Sequence, residues 1–460
     1  MGRNSSAVLG ICFGCVVIAL VFTMVNTAIP SIQSSLRVPV SALQWMMTAF
    51  GLINCACLVT CGRIADIFGR KRVFLFGLTA SLTGVIMAGL SNTAFSLILS
   101  MSFAGLGNAI LLPVSQAMLV MEFPENKRGT AIGIWAGCIG AAMAAGPVLG
   151  GVITQLLGWR WVFLINVPVI VFSFYLCYRY STESRNETDP ARVDIKGMIY
   201  LAITVVSLVL VSTEHHHFSY LFLGGLIGLG IVSIYRLIKH EKTFPSPIIS
   251  DQLWGNRVFL SASLASFCLV FFVWSIFFLL PIFLQNELGL SPMSSGFMML
   301  WITLPVALLS PIISKLEKYK NTWMISLAGF LLLASFAFSQ TYFSASTPLW
   351  KIAVSCFVFG VGYSLIWGPT ATVAVSCFPS HQSGIASGTF VTIQELGGTF
   401  GLAIIVTAFS SYAVLKEGFN VSLWLLLAIS AIGCFLSLLM KTPKKEAATA
   451  CNAIDVHHGH

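Results

Sequence analysis

The chain has very few charged residues for its length. Asp, Glu, Lys and Arg make up 9% of its 460 residues, hydrophobic residues make up 57%, and the mean hydropathy is +0.89. An average soluble domain is about 25% charged. Charges this sparse cannot cover a water-soluble surface, and the apolar runs reach the roughly 20 residues that a helix needs to cross a bilayer. The composition therefore predicts an all-α integral membrane protein that lies in a lipid bilayer.

Several kinds of chemistry have no counterpart in the sequence. There is no Gly-x-Ser-x-Gly elbow, phosphate-binding loop or His-Glu-x-x-His motif. All of the 12 cysteines except Cys451 lie inside apolar runs, without the spacing of a zinc site or a disulfide framework. We therefore expect no enzyme activity, no cofactor and no metal site.

The remaining polar clusters do not change this expectation. The His215–His217 run and the tail residues His457, His458 and His460 lack the fixed spacing of metal ligands. The net charge of +9 comes from basic residues scattered through short loops, so no nucleic-acid partner is expected.

Segmentation at charges and turn residues predicts fourteen membrane spans. They lie near residues 7–29, 43–61, 73–91, 95–121, 130–157, 161–178, 197–213, 218–237, 258–283, 295–314, 323–341, 348–377, 384–412 and 421–440. With this count both termini lie on one face. That face carries all of the 25 Lys and Arg residues except Arg37, Arg160, Lys351 and Lys416. Because cytoplasmic loops retain the basic residues, both termini are predicted to be cytoplasmic in a multi-pass bacterial inner-membrane protein.

The spacing of the spans suggests two related halves. Residues 1–180 are predicted to form one six-helix bundle and residues 258–440 a second. Residues 181–257 would be a linker that carries two additional helices, and residues 441–460 a cytoplasmic tail. Such a layout is typical of transporters built from repeats.

The loop after span 2 reads GRIADIFGRKR from Gly62 to Arg72 and places one carboxylate among four cations. It resembles the loop 2–3 signature of the major facilitator superfamily. The resemblance implies a cytoplasmic gate formed by Gly62, Asp66, Gly69, Arg70 and Arg72. The alternative is a basic membrane anchor in which the Asp is incidental.

Span 5 is rich in glycine and is followed by a second distinctive phrase. Its small residues recur at a spacing that lets a neighbouring helix approach closely: Gly133, Gly137, Gly140, Gly146, Pro147, Gly150 and Gly151. This resembles the antiporter signature of the superfamily, although helix packing alone would also explain it. The phrase WRWVFLINVP from Trp159 to Pro168 resembles the fourteen-helix drug:proton antiporter branch, which exports multiple drugs. The resemblance implies the major facilitator fold, with two six-helix bundles and two inserted helices.

Two charges that this branch usually carries are missing. Val21 stands where its members have an Asp in the first helix, and Met101 where they have an Arg in the fourth. Charges inside a membrane are costly and by default functional. Their loss puts the usual form of proton coupling in question.

Glu395 is the carboxylate that lies deep within a predicted span. Gly388, Thr392, Glu395 and Thr399 fall on one helix face at about 100° per residue, which predicts a polar stripe facing a cavity. A carboxyl there can take up a proton in one conformation and release it in another, so Glu395 is the predicted proton-coupling residue. The alternatives are a hydrogen bond to a neighbouring helix or a role in substrate binding alone.

Uncharged polar residues are the predicted contacts for substrate. They are Asn26, Asn54, Asn108, Gln116, Thr392 and Thr399. Hydrogen bonds between helices would explain each of the amides equally well.

The resemblance implies a secondary transporter that works by alternating access. Its substrate would be a small organic molecule, exported as a drug or amphipathic metabolite in exchange for protons. An uncoupled facilitator or importer, and an exporter of a self-made metabolite such as a siderophore, remain alternatives. A sensor or scaffold is disfavoured because it would not need a gate. A monomer is expected, and a periplasmic adaptor is an open question.

Overall fold

A computed structural model describes residues 3–124, 128–184, 194–213, 219–241, 244, 253, 255–316, 321–378 and 383–441. The first nine helices are α1 (Arg3–Leu36), α2 (Val40–Phe68), α3 (Arg70–Gly89), α4 (Ala94–Met121), α5 (Arg128–Leu157), α6 (Arg160–Leu164), α7 (Asn166–Tyr180), α8 (Ile195–Thr213) and α9 (Tyr220–Glu241). They are followed by α10 (Arg257–Ile282), a π-helical turn (Phe283–Glu287), α11 (Pro292–Leu316), α12 (Thr322–Thr341), α13 (Leu349–Ser376), α14 (Ser383–Ser410) and α15 (Leu415–Leu439).

The described residues contain 13 helical segments that are long and apolar enough to cross a membrane. Helices α6 and α7 together form one of them, Arg160–Tyr180. Helix α8 is also apolar, but its apolar segment, Ile195–Val211, is shorter than the 18 residues taken as the minimum for a span. The all-α membrane class is thus confirmed. The predicted fourteen spans correspond to thirteen full-length spans and one shorter helix.

The helices form two bundles, which we call the first half (α1–α7) and the second half (α10–α15). In the first half α1 packs on α5 and α7, and α4 packs on α2 and α3. In the second half α10 packs on α13, α14 and α15, while α13 packs on α11 and α12. Helices α8 and α9 pair with each other, and α8 also packs on α2 and α14. The inserted helices therefore cover one of the places where the halves meet.

The halves meet chiefly along two pairs of helices, α5 with α11 and α2 with α14, and α1 also contacts α10 and α11. We name the two ends of the bundle by the residues there: α2 ends at the Gly69 face, and α11 begins at the Pro292 face. Towards the Pro292 face the backbone of Pro292 leaves no room for a side chain at Gly151, and the Pro147 carbonyl leaves none at Gly296. The Gln285 Nε2 also donates to the Thr27 carbonyl across the halves at 2.9 Å.

Towards the Gly69 face the same helices are open. A Cβ added at Gly133, Gly137 or Gly140 of α5, or at Gly388 of α14, would meet no described atom within 4 Å. Among the described residues, the halves are therefore in contact at the Pro292 face, and α5 and α14 border open space nearer the Gly69 face. One predicted feature cannot be placed: the His215–His217 run and the tail histidines lie outside the described residues.

Candidate functional site

Glu395 lies near the middle of α14, about 18 Å along the axis from Ser383 at a rise of 1.5 Å per residue. Its side chain is partly exposed. The other described acids lie in loops or within one turn of a helix end: Asp66, Glu122, Glu183, Asp194, Glu241, Glu287 and Glu417. Within the described residues, Glu395 is therefore the carboxylate placed in the interior of a membrane span.

A chain of hydrogen bonds leads from the first half to Glu395. The Asn108 Nδ2 of α4 donates to the Asn54 Oδ1 of α2 at 3.0 Å. The Asn54 Nδ2 in turn donates to the Glu395 Oε2 of α14 at 2.9 Å. Asn54 is fully buried and Asn108 is 8% exposed. The structure thus brings together three predicted site residues, and the second bond crosses between the halves.

Thr399 lies one turn further along α14 and is also buried between the halves. Its hydroxyl donates to the Glu395 carbonyl at 3.1 Å and lies 3.5 Å from the Cys55 Sγ of α2. A Cβ on Gly51 would collide with this threonine. Thr399 therefore packs α14 against α2.

An aromatic cluster closes the space beyond Glu395 on the side of the Pro292 face. The Trp274 ring of α10 lies 4.4 Å from the ring centroid of Phe22 and 6.5 Å from that of Phe50. The indole also covers Gly398, so no side chain fits there. Glu395 thus lies on α14 between Gly388, which borders open space, and Gly398, which the Trp274 indole covers.

The remaining predicted cavity residues are not joined to this chain. The Asn26 Nδ2 donates to the Phe22 carbonyl of its own helix at 2.9 Å, and the Thr392 hydroxyl to the Gly388 carbonyl at 3.0 Å. Gln116 is partly exposed and lies two turns from Asn108 on α4, about 12 Å along the axis.

The two positions that lack the usual charges are apolar and buried. Val21 is 5% exposed and Met101 is fully buried. Val21 and Asn108 line the same small cavity, together with Ser81 of α3. The polar chain that ends at Asn108 therefore passes beside the place where the branch usually carries an acid.

The predicted gate loop is held within the first half. Gly69 has a φ of +107°, which favours glycine. The Arg70 Nη2 pairs with the Asp66 Oδ1 at 2.8 Å, so this aspartate is paired inside its own loop. Gly62 faces Pro113 of α4 at ordinary contact distance. The Asp66–Arg70 pair does not bridge the halves in this conformation.

Glu183, after α7, holds this loop and was not identified from the sequence. Its Oε1 accepts from the Lys71 backbone N–H at 3.0 Å, and its Oε2 lies 3.6 Å from the Arg72 Nε. The carboxylate also fills the space where a Cβ of Gly69 would lie. The available signal was that Glu183 is the first acid after span 6 and lies on the same predicted face as the four cations of the loop.

The glycines of α5 divide into two groups by their surroundings. Gly146 lies against Thr23 of α1, Gly150 against Met24, and Gly151 against Pro292 of α11. The Pro147 carbonyl faces Gly296 of α11. At the Pro292 face these residues therefore let α5 pack closely against α1 of its own half and α11 of the other half. The earlier glycines of the motif border open space.

The sequence and the fold both match known transporters. Residues 11–402 match the Major Facilitator Superfamily. The riboflavin transporter RibZ of Clostridioides difficile is 26% identical over 449 residues, which cover 94% of this chain and 97% of RibZ. The multidrug resistance protein Stp of Mycobacterium tuberculosis is 29% identical over 393 residues, covering 85% of this chain and 73% of Stp.

Solved structures support the same fold at low identity. A POT family transporter, crystallised with 5-aminolevulinic acid, superposes with a TM-score of 0.70 at 16% identity, covering 95% of this chain and 97% of that one. The predicted major facilitator fold is confirmed. The chain is a multi-pass membrane transporter that belongs to the major facilitator superfamily.

Proposed function

We propose that the protein exports small organic molecules across the bacterial inner membrane in exchange for protons, with Glu395 as the coupling site. The position of Glu395 carries this proposal. A mid-helix carboxyl lies where the halves meet and accepts a hydrogen bond from the opposite half. The surroundings of this carboxyl change when the halves move relative to each other, so it can bind a proton in one conformation of the carrier and release it in the other.

The distribution of charge supports an orientation for this cycle. The Gly69 face carries the excess of Lys and Arg, so we assign it to the cytoplasm, with both termini on that side. The open space then faces the cytoplasm, where an exporter takes up its cargo. Alternating access would close this side and part the halves at the Pro292 face, with the Asp66–Arg70 loop holding the cytoplasmic side shut.

Neutral or apolar cargo fits the surroundings of Glu395 best. The aromatic side chains Phe22, Phe50 and Trp274 cluster beside Gly398, which lies less than one turn from Glu395 on α14. Relatives named for drug resistance and for riboflavin transport are both compatible with cargo that stacks on aromatic rings. We propose that the protein works as a monomer.

An uncoupled facilitator or importer is the second candidate. The observation in its favour is that Val21 and Met101 are both apolar and buried, so the first half carries no charge pair at these positions. The riboflavin transporter among the relatives fits this alternative as well.

Proton flux in proteoliposomes tests the two candidates. The purified protein is reconstituted with a pH indicator inside, and riboflavin and ethidium are offered as neutral and cationic probes. Export coupled to protons predicts proton movement that depends on a probe and is lost in Glu395→Gln. Probe flux that ignores both the pH gradient and the substitution would instead establish a facilitator.

A further inference from the structure

We propose that Asn54 and Asn108 are positioning residues, and that the contact between α2 and α14 is a lock that the charged form of Glu395 keeps closed. We call this contact the seam; it comprises residues 44–55 of α2 and 395–407 of α14. The proposal rests on the proposed function, because it assigns a second role to the same carboxyl.

The first hydrogen bond of the chain fixes the orientation of the second. An asparagine amide has one side that accepts and one that donates. The Asn108 Nδ2 occupies the accepting side of Asn54 at 3.0 Å. The donating side of Asn54 must then face Glu395, which it reaches at 2.9 Å. Asn108 acts on Glu395 only through Asn54.

This bond lies inside the part of the structure that must separate when the carrier reorients. Nearer the Pro292 face, the Gln44 Nε2 donates to the Ala403 carbonyl at 2.9 Å and to the Thr407 Oγ1 at 3.2 Å. Gly51 lies against Thr399 and the Trp274 ring. Opening the Pro292 face requires α2 to leave α14, so the bond between Asn54 and Glu395 must break in that step.

No cation is seen next to the carboxylate to take over its charge. Among the described residues, Glu395 forms no ion pair, and the titratable side chains seen near it on the surrounding helices are Cys55 of α2 and Tyr363 of α13. Neither is a cation. The amide of Asn54 is therefore the group that meets the negative charge.

The strength of the bond then depends on the proton. A hydrogen bond to an ionised carboxylate is roughly twice as strong as one to a neutral acceptor. With Glu395 ionised the seam is held closed, and the empty carrier stays open at the Gly69 face. A proton on Glu395, or cargo that displaces Asn54 from it, releases the seam. Either a proton or cargo would thus release the seam, and the empty carrier with ionised Glu395 would keep the seam closed. This is the behaviour that an obligatory exchanger requires.

Hydrogen–deuterium exchange of the full chain in lipid nanodiscs tests the lock without any cargo. The peptides to follow cover residues 36–47 and 403–414, at the Pro292-face ends of α2 and α14. After correction for the intrinsic effect of pH on exchange, the wild type should exchange more slowly at alkaline than at acidic pH. The expected difference is about fivefold, from one charge-assisted hydrogen bond.

The variants separate the lock from simple packing. Glu395→Gln and Asn54→Leu should both lose the pH response of these peptides, and Asn108→Leu should weaken it, because Asn54 is then free to turn its amide. Asn54→Ala serves as a second variant where leucine disturbs folding. Asn166→Ala is the matched control, since Asn166 is a buried asparagine of α7 that bonds to the Val162 carbonyl of its own bundle. It should keep the wild-type response.

The outcomes distinguish this proposal from the proposed function. A wild-type pH response in folded Asn54→Leu or Asn54→Ala would overturn the lock, even where Glu395→Gln abolishes coupled transport. A seam that still responds to pH in Glu395→Gln would also overturn it. Coupled transport that survives in Glu395→Gln would overturn the proposed function, whatever the exchange data show.

Discussion

At the scale of single residues, Gly69 meets two independent demands. Its φ of +107° suits glycine, and the Glu183 carboxylate fills the space where a Cβ would lie. Gly158, at the end of α5, also has a positive φ, of +92°, but a Cβ there would meet no described atom within 4 Å. A comparison of variants at the two glycines therefore distinguishes the effect of backbone strain from that of steric crowding.

Gly69→Ala is expected to destabilise the protein more than Gly158→Ala. Backbone strain costs each variant about 1–3 kcal/mol, and only Gly69→Ala must also displace Glu183 from the loop. Thermal unfolding in detergent, followed by tryptophan fluorescence, measures the difference. Equal midpoints for the two variants would show that the contact between Glu183 and the loop contributes nothing.

Some residues of the site could be predicted from the sequence, and others could not. Glu395 was identifiable because a carboxylate in the middle of an apolar run is costly and rare. Its bond with Asn54 was not, because the two residues are separated by 341 positions and periodicity does not say which helix a face meets. Glu183 was missed because it is one of several acids in a polar loop, and nothing in the sequence distinguishes it from Glu187 or Asp189. Asn108 was predicted to contact substrate, and that stays a prediction; its hydrogen bond to Asn54 could not be predicted from the sequence.

At the scale of elements, α5 and α11 are fitted together by glycines that face each other's backbone. Gly151 lies against Pro292, and Gly296 lies against Pro147. The Gly-rich motif of α5 predicted a close approach, but only the fold shows that its last glycine meets the opposite half. Its first three glycines border open space, so the same sequence pattern has two different surroundings.

Gly151→Val should hold α5 and α11 apart at the Pro292 face and lower the transport rate about tenfold or more, because side chains added to a close-packed contact cost about 1–3 kcal/mol. Gly137→Val is the matched control on the same helix, since a Cβ at Gly137 meets no described atom within 4 Å. Riboflavin and ethidium fluxes in proteoliposomes measure both. Similar fluxes for the two variants would contradict this role of the α5–α11 contact.

At the scale of the whole molecule, the halves are closed at one face and open at the other. Hydropathy located most of the spans because each must cover the bilayer with apolar side chains. Helix α8 is the exception, because its apolar segment is shorter than that of the other spans. It lies against α2 and α14. Which face is open could not be inferred from the sequence, because both conformations use the same apolar pattern.

Cross-linking the closed face should stop the cycle. The Met293 backbone N–H of α11 donates to the Gln155 Oε1 of α5 at 3.2 Å, so these residues are in contact across the halves. The double variant Gln155→Cys, Met293→Cys should lose transport on oxidation with copper phenanthroline and regain it with dithiothreitol. Each single variant controls for the native cysteines. Full transport by the cross-linked double variant would show that the halves do not part at this face.

The central claim is that Glu395 ties proton movement to cargo movement, and a comparison of two transport modes in Glu395→Gln proteoliposomes tests it most directly. One mode is accumulation of riboflavin or ethidium driven by a pH gradient, and the other is exchange of labelled for unlabelled probe with no gradient. The account predicts that Glu395→Gln loses accumulation but keeps exchange near the wild-type rate, because the neutral side chain mimics the protonated carrier. Accumulation that persists in Glu395→Gln would contradict it.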